Sequence, residues 1–310
     1  MARVLVTGVN GFVGKHVVHE LKSRGCLIVG LGNDPEMHPQ LDGMLDAYLV
    51  CDLTDKQSVE ALDLTGFDGV ISLAGLARVG PSFSDPSLYN HVNVAVLEVL
   101  GDRLLELELN PRVLAISSGS VYDPAQPMPL TEKSQTTGTG SPYAQSKLAM
   151  EDAAQRLRKK GLDCIVARPF NHIGPGQEGG FLVPDLYQKI MAARNDDNSL
   201  TVGDLNTRRD YTDVRDVVRA YVDLITAPSL DESTFNVCSG RSIDGQTILQ
   251  LLLNETGAEK LQIQKDPQLI RPNDPKDLFG SNERLHKATN WQPSIPLEQT
   301  IHDFVASNFV

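Results

Sequence analysis

Six short aliphatic and β-branched runs punctuate the first half of the chain: "RVLVTG", "CLIVGL", "AYLVCDL", "GVISLAG", "RVLAISS" and "DCIVARPF". Their apolar positions follow one another instead of alternating, which is the pattern of strands buried on both faces. Most are separated by stretches with helical periodicity. Repeated strand–helix alternation predicts a parallel sheet covered by helices on both sides, an α/β, Rossmann-like doubly wound fold. The stretch "NPRVLAISS" shows the punctuation: Asn110 and Pro111 stop the preceding helix, and Val113 to Ile116 make a buried strand.

The alternation weakens after Arg168. From about Asn171 the chain turns to glycine, proline and loop residues, as in "NHIGPGQEGG" and "RPNDPKDLFG", interrupted by helical stretches such as "IDGQTILQLLLNET". We therefore expect a Rossmann domain over 1–170, with 211–240 partly returning to it, and a smaller mixed C-terminal lobe from 171–210 and 241–310.

Charge and composition narrow the function. The 28 Lys and Arg against 40 Asp and Glu leave a net charge of −12 in 310 residues, which argues against nucleic acid or an anionic membrane as partner. The densest cationic run, "RLRKKG", ends at Gly161 and reads as the C-terminus of a helix, where its dipole favours positive charge. Cys26, Cys51, Cys164 and Cys238 show no metal-ligand spacing and are expected as buried thiols. His16 and His19 share a helical face but have no third ligand nearby, so no metal is expected. With no apolar leader ahead of "RVLVTG" and no stretch of membrane-spanning length, the expectation is a cytoplasmic protein.

The chemistry begins at "TGVNGFVG". Gly8, Gly11 and Gly14 follow the first strand and precede a helix starting near Phe12. Such a turn lets backbone amides and a helix N-terminus face a pyrophosphate with no β-carbon in the way. At the end of the second strand, an acid would select NAD through the ribose hydroxyls and a nearby arginine would select NADP. Gly32 offers neither; Asp34 and Lys15 are both within the neighbourhood, so NADH and NADPH stay open. Asp52 in "CDLTD" is placed to accept from the adenine amino group, with a turn-stabilising role as the alternative.

In "SPYAQSK", Tyr143 and Lys147 stand at i and i+4 and so point the same way on a helix. A phenol that exchanges protons near neutral pH needs help, and an ammonium a few ångströms away favours the phenolate. Ser118 lies just past the strand "RVLAI", at the end where open α/β sheets bind ligands, and its hydroxyl can orient a carbonyl beside the tyrosine.

Together, "TGVNGFVG", "ISSGSVYD", "SPYAQSK" and "RPFN" resemble the extended short-chain dehydrogenase/reductase family, and the similarity runs through essentially the whole chain. The resemblance implies an NAD(P)-binding Rossmann domain, a lobe for a nucleotide sugar, a homodimer, and catalysis by Ser118, Tyr143 and Lys147. In that pattern the serine stands four residues before the tyrosine of "VY", which selects Ser118 over Ser117 or Ser120. The cofactor contacts it implies are Gly8, Asn10, Gly11, Phe12, Val13 and Gly14 in the turn, Gly32, Asp52 and Leu53 beyond the next strands, Leu73, Ala74 and Gly75 in "SLAG", and Tyr143, Lys147 and Arg168. For substrate it implies Ser118, Asn171, Val183, Arg209 and Arg271.

Dehydratases of that family place a carboxylic acid beside the serine; here Gly119 and Ser120 follow Ser118, so the dehydrating agent is missing. "RPFNHIGPGQ", "RRDYTDVRDVVRAY" and "FNVCSG" further resemble the branch that reduces GDP-4-keto-6-deoxymannose. Reduction of a GDP-linked 4-keto-6-deoxyhexose with NADPH or NADH is the expected activity, with a nucleotide-sugar C4 epimerase that retains NAD as the alternative.

Overall fold

The structure, a computed structural model, describes residues 1–194, 199–269 and 275–308. The first half alternates: β1 (Arg3–Thr7), α1 (Phe12–Ser23), β2 (Leu27–Gly32), β3 (Ala47–Val50), α2 (Lys56–Glu60), β4 (Gly69–Ser72), α3 (Val79–Ser82), α4 (Pro86–Glu106), β5 (Arg112–Ile116), α5 (Pro142–Lys159) and β6 (Cys164–Pro169). There follow β7 (Asn171–Ile173), α6 (Leu182–Ala193), β8 (Ser199–Val202), β9 (Arg208–Asp213), α7 (Val214–Thr226) and β10 (Thr234–Val237). The chain closes with β11 (Ser242–Asp244), α8 (Gly245–Thr256), β12 (Gln262–Lys265), β13 (Asp277–Leu278), α9 (Glu283–Thr289) and α10 (Leu297–Ser307).

Seven strands form one parallel sheet in the order β10-β6-β5-β4-β1-β2-β3. All six apolar runs of the sequence are strands of it. Both faces are covered, which explains why those runs lack alternation: Val4 and Val6 of β1 join one apolar cluster with α1 and α7, while Leu5 between them joins the other with α4 and α5. The chain enters at β1, runs outward to β3, then crosses back to β4 and continues the other way. That reversal opens a crevice at the carboxyl ends of β1 and β4. A third apolar cluster, from α6, α8, α10 and β8, is the core of the C-terminal lobe.

Local signals set the helices that matter here. Helix α1 buries Gly14, Val17, Val18 and Leu21, one stripe at helical spacing. Ser141 caps α5, its hydroxyl accepting from Ala144 N–H at 3.1 Å, and Pro142 fills the first helical position. The cationic run does close α5, with Arg156, Arg158 and Lys159 in the last turn; Arg156 pairs with Glu98, and Lys160 with Asp102 at 2.7 Å, both on α4. One stop signal is misplaced. Helix α4 ends at Glu106, ahead of Asn110 and Pro111, because Glu108 turns to a φ of 55° and lets Leu109 N–H donate to Leu104 O at 2.9 Å. No helix among the described residues is long and apolar enough to cross a membrane.

The glycine turn carries the first test. A β-carbon on Gly14 would stand 2.5 Å from the carbonyl oxygens of Gly8 and Val9, both fixed backbone, whereas one on Gly80 in α3 meets nothing. Gly14→Ala is expected to cost about 1–3 kcal/mol, and Gly80→Ala to be neutral or slightly stabilising, as read by thermal denaturation.

Candidate active site

The crevice is walled by four segments linked by close backbone approach and by the Lys147 side chain. Gly8 has a φ of 64° and lies against the fourth strand's exit: a β-carbon there would be 2.9 Å from Ala74 N. Thr7 Oγ1 accepts from that same Ala74 N–H at 3.1 Å, fixing "SLAG" across the glycine turn. Gly75, with a φ of 148°, comes next to the lysine of α5, a β-carbon on it falling 3.9 Å from Lys147 Nζ. Lys147 in turn donates to Ile116 O at the end of β5, at 2.9 Å. Turn, "SLAG", β5 and α5 thus meet at one place.

Ser118, Tyr143 and Lys147 converge there. Ser118 Oγ accepts from Ser120 N–H at 3.1 Å and from Ser120 Oγ at 2.9 Å, which leaves its own proton to point elsewhere. The neighbouring Ser118 hydroxyl pulls the Tyr143 phenol toward the phenolate. Tyr143 is nevertheless almost wholly buried, and burial pushes its phenol above the ordinary tyrosine value. This departs from the expectation of a phenol acidified by its lysine neighbour. Lys147 Nζ sits 6.0 Å from the centre of the Tyr143 ring and is buried too; burial pulls it down to about 8, against an upward pull from Glu151. Desolvation wins over attraction for both groups, so the resting tyrosine is an acid.

The glycine turn fits a dinucleotide. Gly11 caps α1 with no side-chain hydrogen bond, although its own N–H donates to Gly8 O at 3.0 Å, so no side chain competes with a pyrophosphate at that helix N-terminus. Phe12 and Val13 start the helix, and the Phe12 ring stacks at 6.3 Å on His172, which burial keeps neutral-leaning. At the end of β2, Gly32 stands where a β-carbon would strike Tyr48 Oη at 2.7 Å.

Several residues expected at ligands are engaged within the protein. The Asn10 amide donates to Asp34 Oδ2 and Glu36 O, both at 3.0 Å, and its oxygen accepts from His38 N–H at 2.9 Å; the side chain anchors the loop after β2. Asp34 is therefore held by Asn10, while Lys15 Nζ lies 3.5 Å from His38 Nε2. Asp52 Oδ1 accepts from the Thr54 N–H and hydroxyl, the turn-stabilising alternative, and Leu53 is buried in the core. Arg168, expected on the cofactor, is spent inside: it forms a buried pair with Glu151 at 2.6 Å and donates to Tyr122 Oη at 2.9 Å. Val183, expected on the substrate, has no exposed surface and packs in the core of the C-terminal lobe.

Asn171 is exposed at the start of β7, and Arg209 Nη1 donates to Arg208 O at 2.8 Å and Pro275 O at 2.7 Å. Arg271 lies outside the described residues. Motif reading set aside Ser120, which orients Ser118, and did not single out Glu151, whose oxygen accepts from Ser117 Oγ at 2.5 Å. The signal for Glu151 was present, since it stands four residues past Lys147 on the same helix.

The chain is similar to known proteins over nearly its whole length. The NAD dependent epimerase/dehydratase family matches over residues 4–238. GDP-6-deoxy-D-mannose reductase of Pseudomonas aeruginosa is 33% identical over 304 residues, covering 96% of this chain and 94% of that protein. The NADPH complex of RMD from Pseudomonas aeruginosa superposes with a TM-score of 0.83 at 31% identity, covering 100% of both chains. The NAD complex of UDP-glucose 4-epimerase from Thermus thermophilus gives 0.84 at 26% identity, covering 98% of each. NAD(P) is the cofactor of the site.

Lys147→Ala removes the cation beside "SLAG" and is expected to weaken NADPH binding about tenfold or more, as a charge-assisted hydrogen bond is lost. Fluorescence titration checks it.

Proposed function

The chain belongs to the NAD dependent epimerase/dehydratase family, and within it we propose an NAD(P)H-dependent reductase of a nucleotide-linked 4-keto-6-deoxyhexose. The substrate we favour is GDP-4-keto-6-deoxy-D-mannose, giving GDP-6-deoxy-D-mannose. The observation that carries this reading is the buried Tyr143 hydroxyl in contact with Ser118, held as an acid by its dry surroundings. Reduction of a carbonyl needs a proton donor, and that is the resting form here. The 33% identity to GDP-6-deoxy-D-mannose reductase supports the choice of nucleotide and sugar.

In this reading the bound nicotinamide supplies a hydride to C4 of the sugar. Ser118 donates to the C4 carbonyl oxygen and fixes it beside Tyr143, and Ser120 sets the direction of that donation by occupying the lone pairs of Ser118. Tyr143 gives its proton to the same oxygen as negative charge grows on it. Lys147, still largely cationic at neutral pH with a value of about 8, then stabilises the phenolate left behind. Asn171 at the start of β7 and Arg209 on β9 are proposed for the sugar and its diphosphate.

Dehydration is disfavoured by what surrounds Ser118. Positions 119 and 120 are Gly and Ser, and Glu151 behind them is locked by Arg168. No carboxyl among these is free to move a proton at C5 or C6.

Incubation with GDP-4-keto-6-deoxymannose and NADPH is expected to consume one equivalent of cofactor per sugar, followed by nicotinamide absorbance. Turnover of nucleotide sugar without net consumption would instead identify a C4 epimerase. In the same assay Tyr143→Phe should lower kcat about 10²- to 10⁴-fold and leave NADPH affinity intact, because only the proton donor is removed. A variant with near-normal rates would show that the tyrosine is not the donor.

A further inference from the structure

The loop between β2 and β3 folds back to the glycine turn and is tied to it by one side chain. The Asn10 amide donates to Asp34 Oδ2, to Glu36 O and, at 3.2 Å, to Tyr48 Oη, and its oxygen accepts from His38 N–H. That anchor brings His38 to α1. His38 opens the short turn Pro39–Leu41, and its Nδ1 accepts from Gln40 N–H at 3.2 Å. Its Nε2 lies 3.5 Å from Nζ of Lys15, in the first turn of α1.

Donors and acceptors do not balance between those two side chains. A neutral imidazole carries one N–H and one bare nitrogen. The Gln40 N–H is fixed in direction, whereas an ammonium can turn its protons elsewhere, so Nδ1 is the bare nitrogen and Nε2 carries the hydrogen. Lys15 offers donors alone. An N–H and an ammonium therefore face each other, and among the described residues no carboxylate pairs with Lys15. Both side chains are only half-buried, open to a ligand. What fits between them is an acceptor with several oxygens and negative charge.

Position narrows the anion. A pyrophosphate at the glycine turn takes the first amides of α1, while the Lys15 side chain leans to a loop that leaves the carboxyl end of β2, where the adenosine ribose lies in such folds. An acid at that strand end would read the ribose hydroxyls and select NADH. Tyr48 fills the room for one: a β-carbon on Gly32 would stand 2.7 Å from its hydroxyl, which is held by donating to Asp34 O at 2.8 Å. Asp34, the next acid along the chain, has Oδ2 engaged by Asn10 at 3.0 Å.

We propose that Lys15 and His38 form a site for a phosphate monoester, the 2′-phosphate of the adenosine ribose, and so set the cofactor preference of this chain to NADPH over NADH.

A dinucleotide over the glycine turn is the premise, whichever sugar is reduced, so the test needs no sugar. Dissociation constants for NADPH and NADH are read by fluorescence titration. Wild type is expected to bind NADPH more tightly than NADH, by about tenfold or more. Lys15→Ala should weaken NADPH about tenfold or more and leave NADH unchanged, and His38→Gln should act in the same direction by a smaller factor. Equal weakening of both cofactors in Lys15→Ala would place the lysine on the pyrophosphate and overturn the proposal. Wild type that holds NADH as tightly as NADPH overturns it too, leaving Asp34 to read the ribose. A second arm uses no variant: adenosine 2′,5′-bisphosphate should displace NADPH from wild type at lower concentration than its 3′,5′ isomer of equal charge, and equal potency contradicts the assignment. Failure of the proposed sugar to be reduced would leave these affinities as they are, so the two readings fail separately.

Discussion

Taking an ammonium and a phenol out of water together is the constraint on which this site depends. Lys147 and Tyr143 lie one turn apart on α5 with almost no exposed surface, and the ammonium donates a hydrogen bond to Ile116 O at the strand end. Burial works in opposite directions on the two groups, raising the acid form of one and lowering that of the other. The outcome is a tyrosine that holds its proton and a lysine poised near neutrality, a combination suited to delivering a proton and then steadying the charge that remains.

The fold supplies this at little local expense. Parallel strands end together at one edge, so residues distant in the chain reach one crevice through strand exits alone: Thr7 and Gly8 from β1, Ala74 and Gly75 from β4, Ser118 from β5. Close approach is secured by the absence of side chains at Gly8 and Gly75, where positive φ also excludes most other residues. The rigid helix α5, capped by Ser141 and tied to α4 by ion pairs at its far end, then fixes the Tyr143–Lys147–Glu151 row against those exits. Asn236 on β10 accepts from Tyr122 Oη and extends the Glu151–Arg168–Tyr122 network toward the C-terminal segment, its amide donating to Leu130 O at 3.1 Å and Ser281 O at 3.3 Å.

Much of this was legible in the sequence, for physical reasons. A strand buried on both faces must be apolar throughout, so β1 to β6 are visible as runs, and a pyrophosphate turn must be free of β-carbons, so Gly8, Gly11 and Gly14 are visible as a motif. What one sequence does not carry is the facing of a residue within its motif. Arg168 and Val183 sit in the right segments but turn inward, to Glu151 and to the lobe's core. Asn10, expected at the cofactor, also anchors a loop through its side chain, and its partners Asp34 and His38 come from a segment whose path no periodicity predicts. The sign of the tyrosine shift was likewise hidden: spacing reveals the attracting ammonium and says nothing of how dry the crevice is.

That sign is the central claim, and a spectrophotometric titration of tyrosine reads it directly. The phenolate absorbance of wild type minus that of Tyr143→Phe isolates one hydroxyl among seven tyrosines. With burial dominant, this difference is expected to emerge only above the ordinary tyrosine value of about 10. A difference that rises well below it would mean that attraction outweighs burial, and the resting acid described here would be a base.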